Sequence, residues 1–122
     1  MIIEDEMPAL RSMELNMKRQ GFDVVCCHDG REAISRMRAE NPDVIVANML
    51  PGAALDVVEN AKKLVRNVSV IVVAALRQER IVREAFTIGA DDFICKPFHF
   101  SELVLRIKRL GRLPKTELIL SK

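Results

Sequence analysis

Five short apolar runs alternate with amphipathic stretches from one end of the chain to the other. The runs lie at 1–3, 24–27, 44–47, 70–74 and 93–95. They are apolar almost throughout, which is typical of strands that helices cover on both faces. Strict alternation of strand and helix predicts a parallel sheet built by right-handed crossovers. We therefore predict an α/β fold, a doubly wound five-stranded parallel sheet with five helices.

The stretches between the runs carry signals for helix ends. Pro8 fits the first turn of a helix that stops before Gly21, and Asp29 can cap the second helix. The fourth helix is predicted over about 78–88, and the fifth begins after Ser101 and stops at Gly111. This element count, in 122 residues, fits the flavodoxin-like strand order 2-1-3-4-5.

Charge and cysteine content restrict the class of protein. A net charge of +2 is too small to indicate a nucleic-acid or membrane surface, and no helix-turn-helix pattern is present. Cys26, Cys27 and Cys95, an odd number within apolar runs, argue against a disulfide framework. Because we find no signal peptide or membrane-spanning run, we predict one cytoplasmic domain over 1–112, followed by a linker or tail over 113–122.

Several short motifs occur in a fixed order over residues 1–112. They are 4–6 (EDE), 30–33 (GREA), 42–43 (PD), 89–98 (GADDFICKPF) and 101–103 (SEL). Together they resemble the receiver (CheY-like) domains of the two-component response-regulator family. The resemblance implies a bacterial signalling module with no enzymatic activity of its own and with protein partners. It also implies a cis peptide bond between Lys96 and Pro97.

In that family an aspartate after the third strand accepts a phosphoryl group, which Mg²⁺ and a lysine help to neutralise. Counting forward from 42–43 places this acceptor at Asn48, whereas counting back from 51–52 places it at Ala47. Neither side chain can form an acyl phosphate. The hydroxyl expected after the fourth strand is also missing, because Ala74 stands there. We therefore interpret the chain as a pseudo-receiver.

The other site residues are retained. Glu4 and Asp5 match the acidic cluster that holds Mg²⁺, and Lys96 matches the lysine. With one carboxylate fewer, we expect Mg²⁺ to bind weakly or not at all, and we predict no other cofactor. Lys96 is expected either to pair directly with Glu4 or Asp5 or to keep a residual ligand role.

A partner surface is predicted on the fourth helix, fifth strand and fifth helix. Val82 and Phe86 lie at i and i+4, with Phe93 beside them. The alternative is that Phe86 only packs under the fifth helix. Four charged residues match the pattern of receivers that precede winged-helix DNA-binding domains, where this face forms a two-fold dimer: Asp91, Asp92, Glu102 and Arg106. We predict a homodimer or a docked protein partner, with transcription as the regulated output.

Two other functions have to be compared with this one. One is a receiver that accepts a phosphoryl group from a histidine kinase on a non-standard carboxylate, Asp5 or Asp56. The other is a flavin binder, which is disfavoured because the chain has neither a glycine-rich phosphate loop nor any Trp or Tyr.

Overall fold

The computed structural model describes residues 1–75 and 79–112, which form ten alternating elements. In chain order they are β1 (Ile2–Glu4), α1 (Met7–Arg19), β2 (Cys26–Cys27), α2 (Gly30–Glu40), β3 (Val44–Asn48), α3 (Pro51–Leu64), β4 (Ser69–Ala74), α4 (Glu79–Thr87), β5 (Asp92–Cys95) and α5 (Phe100–Arg112). The strands form one parallel sheet in the order β2-β1-β3-β4-β5. The predicted architecture and strand order are confirmed.

The sheet is buried on both faces because successive strand residues point to opposite sides. Ile3 belongs to one apolar cluster, which includes α2, α3 and α4 residues. Ile2 belongs to the other, with residues of α1 and α5. Cys27 and Cys26 divide between the same two clusters, and both are free thiols, as is Cys95. The absence of a disulfide among these three cysteines agrees with the sequence analysis.

Helix ends follow the local sequence in most places. Asp29 caps α2, since its Oδ1 accepts a hydrogen bond from Glu32 N at 2.7 Å, and Pro8 lies in the first turn of α1. The predicted stop at Gly111 is wrong, because α5 continues to Arg112. Glycine ends a helix when it adopts a positive φ, as Gly21 does at +92° after α1, and Gly111 is not in that conformation.

The β2 strand is shorter than the apolar run 24–27 predicts. Its paired residues are Ile2–Cys26 and Ile3–Cys27, so Val24 and Val25 precede the strand, although Val25 O still accepts a hydrogen bond from Ile2 N at 2.8 Å. A cavity of about 590 Å³ opens beside them, at the amino end of the sheet and away from the predicted site. Two predictions fall outside the described residues, namely the tail 113–122 and the start of the fourth helix at residue 78. No helix of the described part is long and apolar enough to cross a bilayer.

Candidate functional site

The predicted site residues meet at the carboxyl edge of the sheet. Because β1 lies beside β3, Glu4 pairs with Asn48, the last residue of β3. Ala74 ends β4 and pairs with Cys95, which places Lys96 at the same edge. This edge is where ligands bind in open α/β sheets.

Asn48 and Glu4 are joined by a hydrogen bond between buried side chains. Asn48 Nδ2 donates to Glu4 Oε1, and the second oxygen of Glu4 accepts from Glu6 N at 3.0 Å. Asn48 and Glu4 are only 6% and 4% exposed. Ala47, the other position that counting allows, is buried in the core on the opposite side of the strand. It is therefore Asn48 that faces the acidic cluster.

Burial, hydrogen bonds and neighbouring charges all shift the pKa of the Glu4 carboxyl. Burial raises its pKa above the ordinary value of 4.5, and the neighbouring Asp5 carboxylate adds to this. The hydrogen bond from Glu6 N and the positive charge of Lys96 oppose these effects and lower the pKa. The net shift is upward, so desolvation outweighs the stabilising groups.

The Asn48 amide is only half satisfied. Its Oδ1 is buried and has no hydrogen-bond partner in the described part of the chain. The NH₂ group has to face the acceptor on Glu4, so the oxygen is turned away from it. An unpaired buried acceptor costs about 1–3 kcal/mol. The orientation of residue 48 is therefore set by the carboxylate of Glu4.

Lys96 and Ala74 are held together through the backbone. Lys96 N donates to Ala74 O at 2.9 Å, and the Lys96–Pro97 peptide bond is cis, as the resemblance implies. The Lys96 side chain is exposed, and no ion pair of the described residues joins it to Glu4 or Asp5. Of the two expected roles, direct pairing with Glu4 or Asp5 is therefore wrong: the Lys96 side chain is exposed, whereas the Glu4 carboxylate is buried and accepts from Asn48 Nδ2 and Glu6 N.

The Mg²⁺ ion that the resemblance implies requires several oxygen ligands. Within residues 1–75 and 79–112 no group of three or more His, Cys, Asp or Glu side chains is arranged to hold a metal ion. Both oxygens of Glu4 accept hydrogen bonds from the protein, while Asp5 is exposed. The residues present at this edge therefore do not fit a divalent-cation site.

The predicted partner surface is only partly apolar at its exterior. Phe86 is 47% exposed, but Val82 and Phe93 are each only 6% exposed and belong to the core. The prediction that Val82 shares the partner surface with Phe86 is wrong, because Val82 and Ala85, three residues apart, form the side of α4 that packs on the sheet. Residues at i and i+4 differ by about 40° around a helix, enough to bury one and expose the other.

The predicted surface charges pair within the chain. Arg106 Nη1 donates to both carboxylate oxygens of Asp92 at 2.7 Å, and Arg106 Nη2 donates to Glu102 Oε1 at 2.8 Å. These contacts, the Asp92 one above all, raise the pKa of the Arg106 guanidinium. Asp92 is only 9% exposed, and its carboxylate is paired with the Arg106 guanidinium inside this cluster. The sequence suggested these residues but not that they pair with one another.

Asp91 binds other residues than its neighbour Asp92 does. Its Oδ2 accepts from Lys62 Nζ and from Val70 N, both at 2.8 Å, and Lys62 Nζ also donates to Val68 O at 2.7 Å. Asp91 therefore ties the start of β5 to β4 and α3. Sequence reasoning missed Lys62, because residues far apart in the chain give no local signal of such a contact.

Solved structures share this fold closely. A CheY-like response regulator receiver domain protein from Methanospirillum hungatei has a TM-score of 0.87 at 22% identity, covering 95% of this chain and 94% of the other. The Francisella response regulator 1452 receiver domain has a TM-score of 0.81 at 27% identity, covering 91% and 93%. A response regulator from Burkholderia pseudomallei, with a phosphorylated aspartic acid, calcium ion and citrate, has a TM-score of 0.80 at 19% identity, covering 99% and 72%.

The sequence itself identifies the family. The profile of the response regulator receiver domain matches residues 1–108 of the 122. This range spans the five strands and all but the last residues of α5. The chain therefore belongs to the response regulator receiver domain family, the signal-receiving modules of two-component response regulators.

Proposed function

We propose that this chain is a cytoplasmic pseudo-receiver that signals without phosphorylation, through contacts with a second copy or another protein. The observation that carries the proposal is the state of residue 48. An asparagine stands at the acceptor position, buried and hydrogen-bonded to Glu4. Its amide has no anionic oxygen that could attack phosphorus, so no acyl phosphate can form there.

The loss of the hydroxyl after β4 supports the same function. Ala74 is 1% exposed and offers only a methyl group toward the acceptor edge. In a phosphorylated receiver, a hydroxyl at this point would hydrogen-bond the new phosphate and couple it to a conformational change. The regulator from Burkholderia pseudomallei carries a phosphorylated aspartic acid. This chain lacks both the acceptor and the group that would sense its phosphate.

Intact-mass spectrometry after incubation with a small-molecule phosphodonor and Mg²⁺ tests the proposal. We expect no labile adduct of about 80 Da, the mass of one phosphoryl group. The Asn48→Asp variant serves as the matched sample, since it restores a carboxylate at the acceptor position. A labile adduct on the unaltered chain would contradict phosphorylation independence.

Such an adduct would support the second candidate, phosphorylation of a non-standard carboxylate by a histidine kinase. Asp5 is the better placed acceptor, because it is exposed at the edge that also holds Lys96. Asp56 lies on α3 and accepts a hydrogen bond from Asn60 Nδ2 at 3.3 Å. Loss of the adduct in Asp5→Asn, but not in Asp56→Asn, would assign it to the acidic cluster.

The contact surface that we propose includes the exposed part of α4 and the charged cluster beside it. Phe86 offers an apolar side chain that is 47% exposed. The Arg106 side chain is 36% exposed and that of Glu102 is 43% exposed, so this ion pair is partly open to a partner. Acids beside bases suit a two-fold contact, in which the same patch on two copies has to be complementary to itself.

The apolar and the charged contacts on this surface differ in the free energy of association that they contribute. An exposed ion pair contributes about 0–1 kcal/mol, whereas complete burial of a Phe side chain contributes about 1.5–3 kcal/mol. Phe86 therefore provides most of the affinity, and the Glu102–Arg106 pair fixes the register. The resemblance to receivers that precede winged-helix domains makes transcription the proposed output.

A further inference from the structure

We infer that the Asn48 amide replaces a divalent cation as the group that holds Glu4 at the carboxyl edge of the sheet. The edge is then kept together by the protein alone, whatever the concentration of Mg²⁺. Because residue 48 is taken as the acceptor position, this role of Asn48 rests on the proposed function. It concerns how the site is stabilised, which is separate from whether it accepts phosphate.

The need for such a group comes from the burial of Glu4. Its side chain is 4% exposed, and a buried carboxylate is costly unless donors or a cation compensate for the lost water. Two donors are present, one for each oxygen: Asn48 Nδ2 and Glu6 N. The Lys96 ammonium is close enough to lower the pKa of Glu4 but forms no ion pair with it in the described part of the structure. Asn48 therefore supplies the only side-chain donor described for this carboxylate.

An aspartate at position 48 would replace this attractive contact with a repulsive one. Asparagine and aspartate have nearly the same shape, so the second carboxylate would lie against Glu4 Oε1, where the amide NH₂ now lies. Two carboxylates in one buried contact repel each other unless a proton or a cation lies between them. Asp5 at the same edge would add a third carboxylate to such a cation site. The amide and the cation are therefore alternatives for one structural role.

The unpaired Asn48 Oδ1 agrees with this assignment. If the amide were placed only to satisfy its own hydrogen bonds, both of its polar atoms would have partners. Instead the NH₂ group is used on Glu4 and the buried oxygen is left without a donor in the described structure. Asn48 therefore stabilises the Glu4 carboxylate although its own Oδ1 is left unpaired in the described structure.

The test compares unfolding of the full chain in a chelator with unfolding in millimolar Mg²⁺. For the unaltered chain we expect the same midpoint in both buffers. For Asn48→Asp we expect a lower midpoint in chelator and a rise with Mg²⁺. If the new site has a Kd of about 1 mM, a tenfold excess of Mg²⁺ changes the unfolding equilibrium about tenfold.

Two variants control for other causes. Asn48→Ala removes the donor without adding a carboxylate, so we expect it to be destabilised equally in both buffers. Asn16→Asp makes the same chemical change on α1, where the residues three and four positions away are not carboxylates, and should leave the response to Mg²⁺ unchanged. A response in Asn16→Asp as large as in Asn48→Asp would reduce the effect to general charge screening and overturn the inference.

Three other results would overturn it. They are a clear Mg²⁺-dependent rise in the midpoint of the unaltered chain, full stability of Asn48→Asp in chelator, and full stability of Asn48→Ala. If Asn48→Asp does not fold in chelator, recovery of its amide spectrum in Mg²⁺ gives the same information. The mass assay on the unaltered chain distinguishes the two proposals, because an adduct there contradicts the proposed function whatever the variants do.

Discussion

Glu4 and Asn48 show how two residues at neighbouring strand ends decide what an acceptor site can do. The carboxylate is buried, so its charge depends on the donors around it. Burial still raises its pKa, which means that ionising Glu4 costs more in the folded chain than in the unfolded chain. The same buried group therefore links the site to the pH dependence of stability.

A Glu4→Gln variant tests this link. A carboxyl with a raised folded-state pKa contributes stability that is complete below its ordinary pKa of 4.5 and is lost as the pH rises through the folded value. We expect the stability of the unaltered chain relative to Glu4→Gln to fall as the pH rises from 4.5 toward neutrality. Thermal unfolding of both proteins across this range measures the difference. A constant difference, or one that grows with pH, would show that the pKa is not raised.

The sequence narrowed the lost acceptor to Asn48 or Ala47 but did not predict the contact that Asn48 makes. The count from residues 42–43 led to Asn48, and strand order 2-1-3 already implied that β1 and β3 end side by side. The hydrogen bond itself depends on the register of Glu4 against Asn48, which neither residue reveals alone. Lys96 was expected either to pair with Glu4 or Asp5 or to keep a residual ligand role, and the sequence alone could not show that its side chain is exposed.

At the scale of the elements, α4 combines a packing side with an exposed aromatic residue. Val82 and Ala85 bury the inner side against the sheet, while Phe86 stays about half exposed. Helix periodicity placed Val82 and Phe86 near one another on α4 but could not show that Val82 would be covered and Phe86 left half exposed. That outcome depends on how α4 is rotated about its axis, which packing against α3 and the sheet determines.

Substitution of Phe86 by Asp tests the proposed surface. Burying the exposed half of one Phe is worth about 1 kcal/mol, so two copies in a symmetric dimer give about 2 kcal/mol, or roughly thirtyfold in Kd. We expect sedimentation equilibrium to show self-association of the unaltered chain and a loss of at least this size in Phe86→Asp. Leu15→Asp, at a 52% exposed site on α1, should leave association unchanged.

The surface would be excluded by a Phe86→Asp dimer as tight as that of the unaltered chain. It would also fail as a homodimer contact if the unaltered chain were monomeric at high concentration. An effect of Leu15→Asp equal to that of Phe86→Asp would indicate nonspecific association of exposed apolar residues rather than a defined face.

At the scale of the whole molecule, the sequence predicts that helices pack on both faces of the sheet. This packing depends only on the pattern of apolar residues along the strands and helices. The ion-pair clusters were not predictable, since Asp91 with Lys62 and Asp92 with Arg106 join distant parts of the chain. Asp92–Arg106 ties β5 to α5, and Glu4–Asn48 ties β1 to β3. Together these contacts support the proposal of a receiver that is fixed in one state, with its proposed contact surface on the exterior of α4 and α5.

The most direct test of this single state is the backbone amide spectrum of the unaltered chain during titration with millimolar Mg²⁺, followed by a small phosphodonor. We predict that the amide resonances of Glu4, Asp5 and Asn48 keep their positions throughout. Asn48→Asp provides the matched sample in which Mg²⁺ should shift them. Saturable shifts at these three residues in the unaltered chain would contradict the account, because they would show that the acceptor edge still binds a cation.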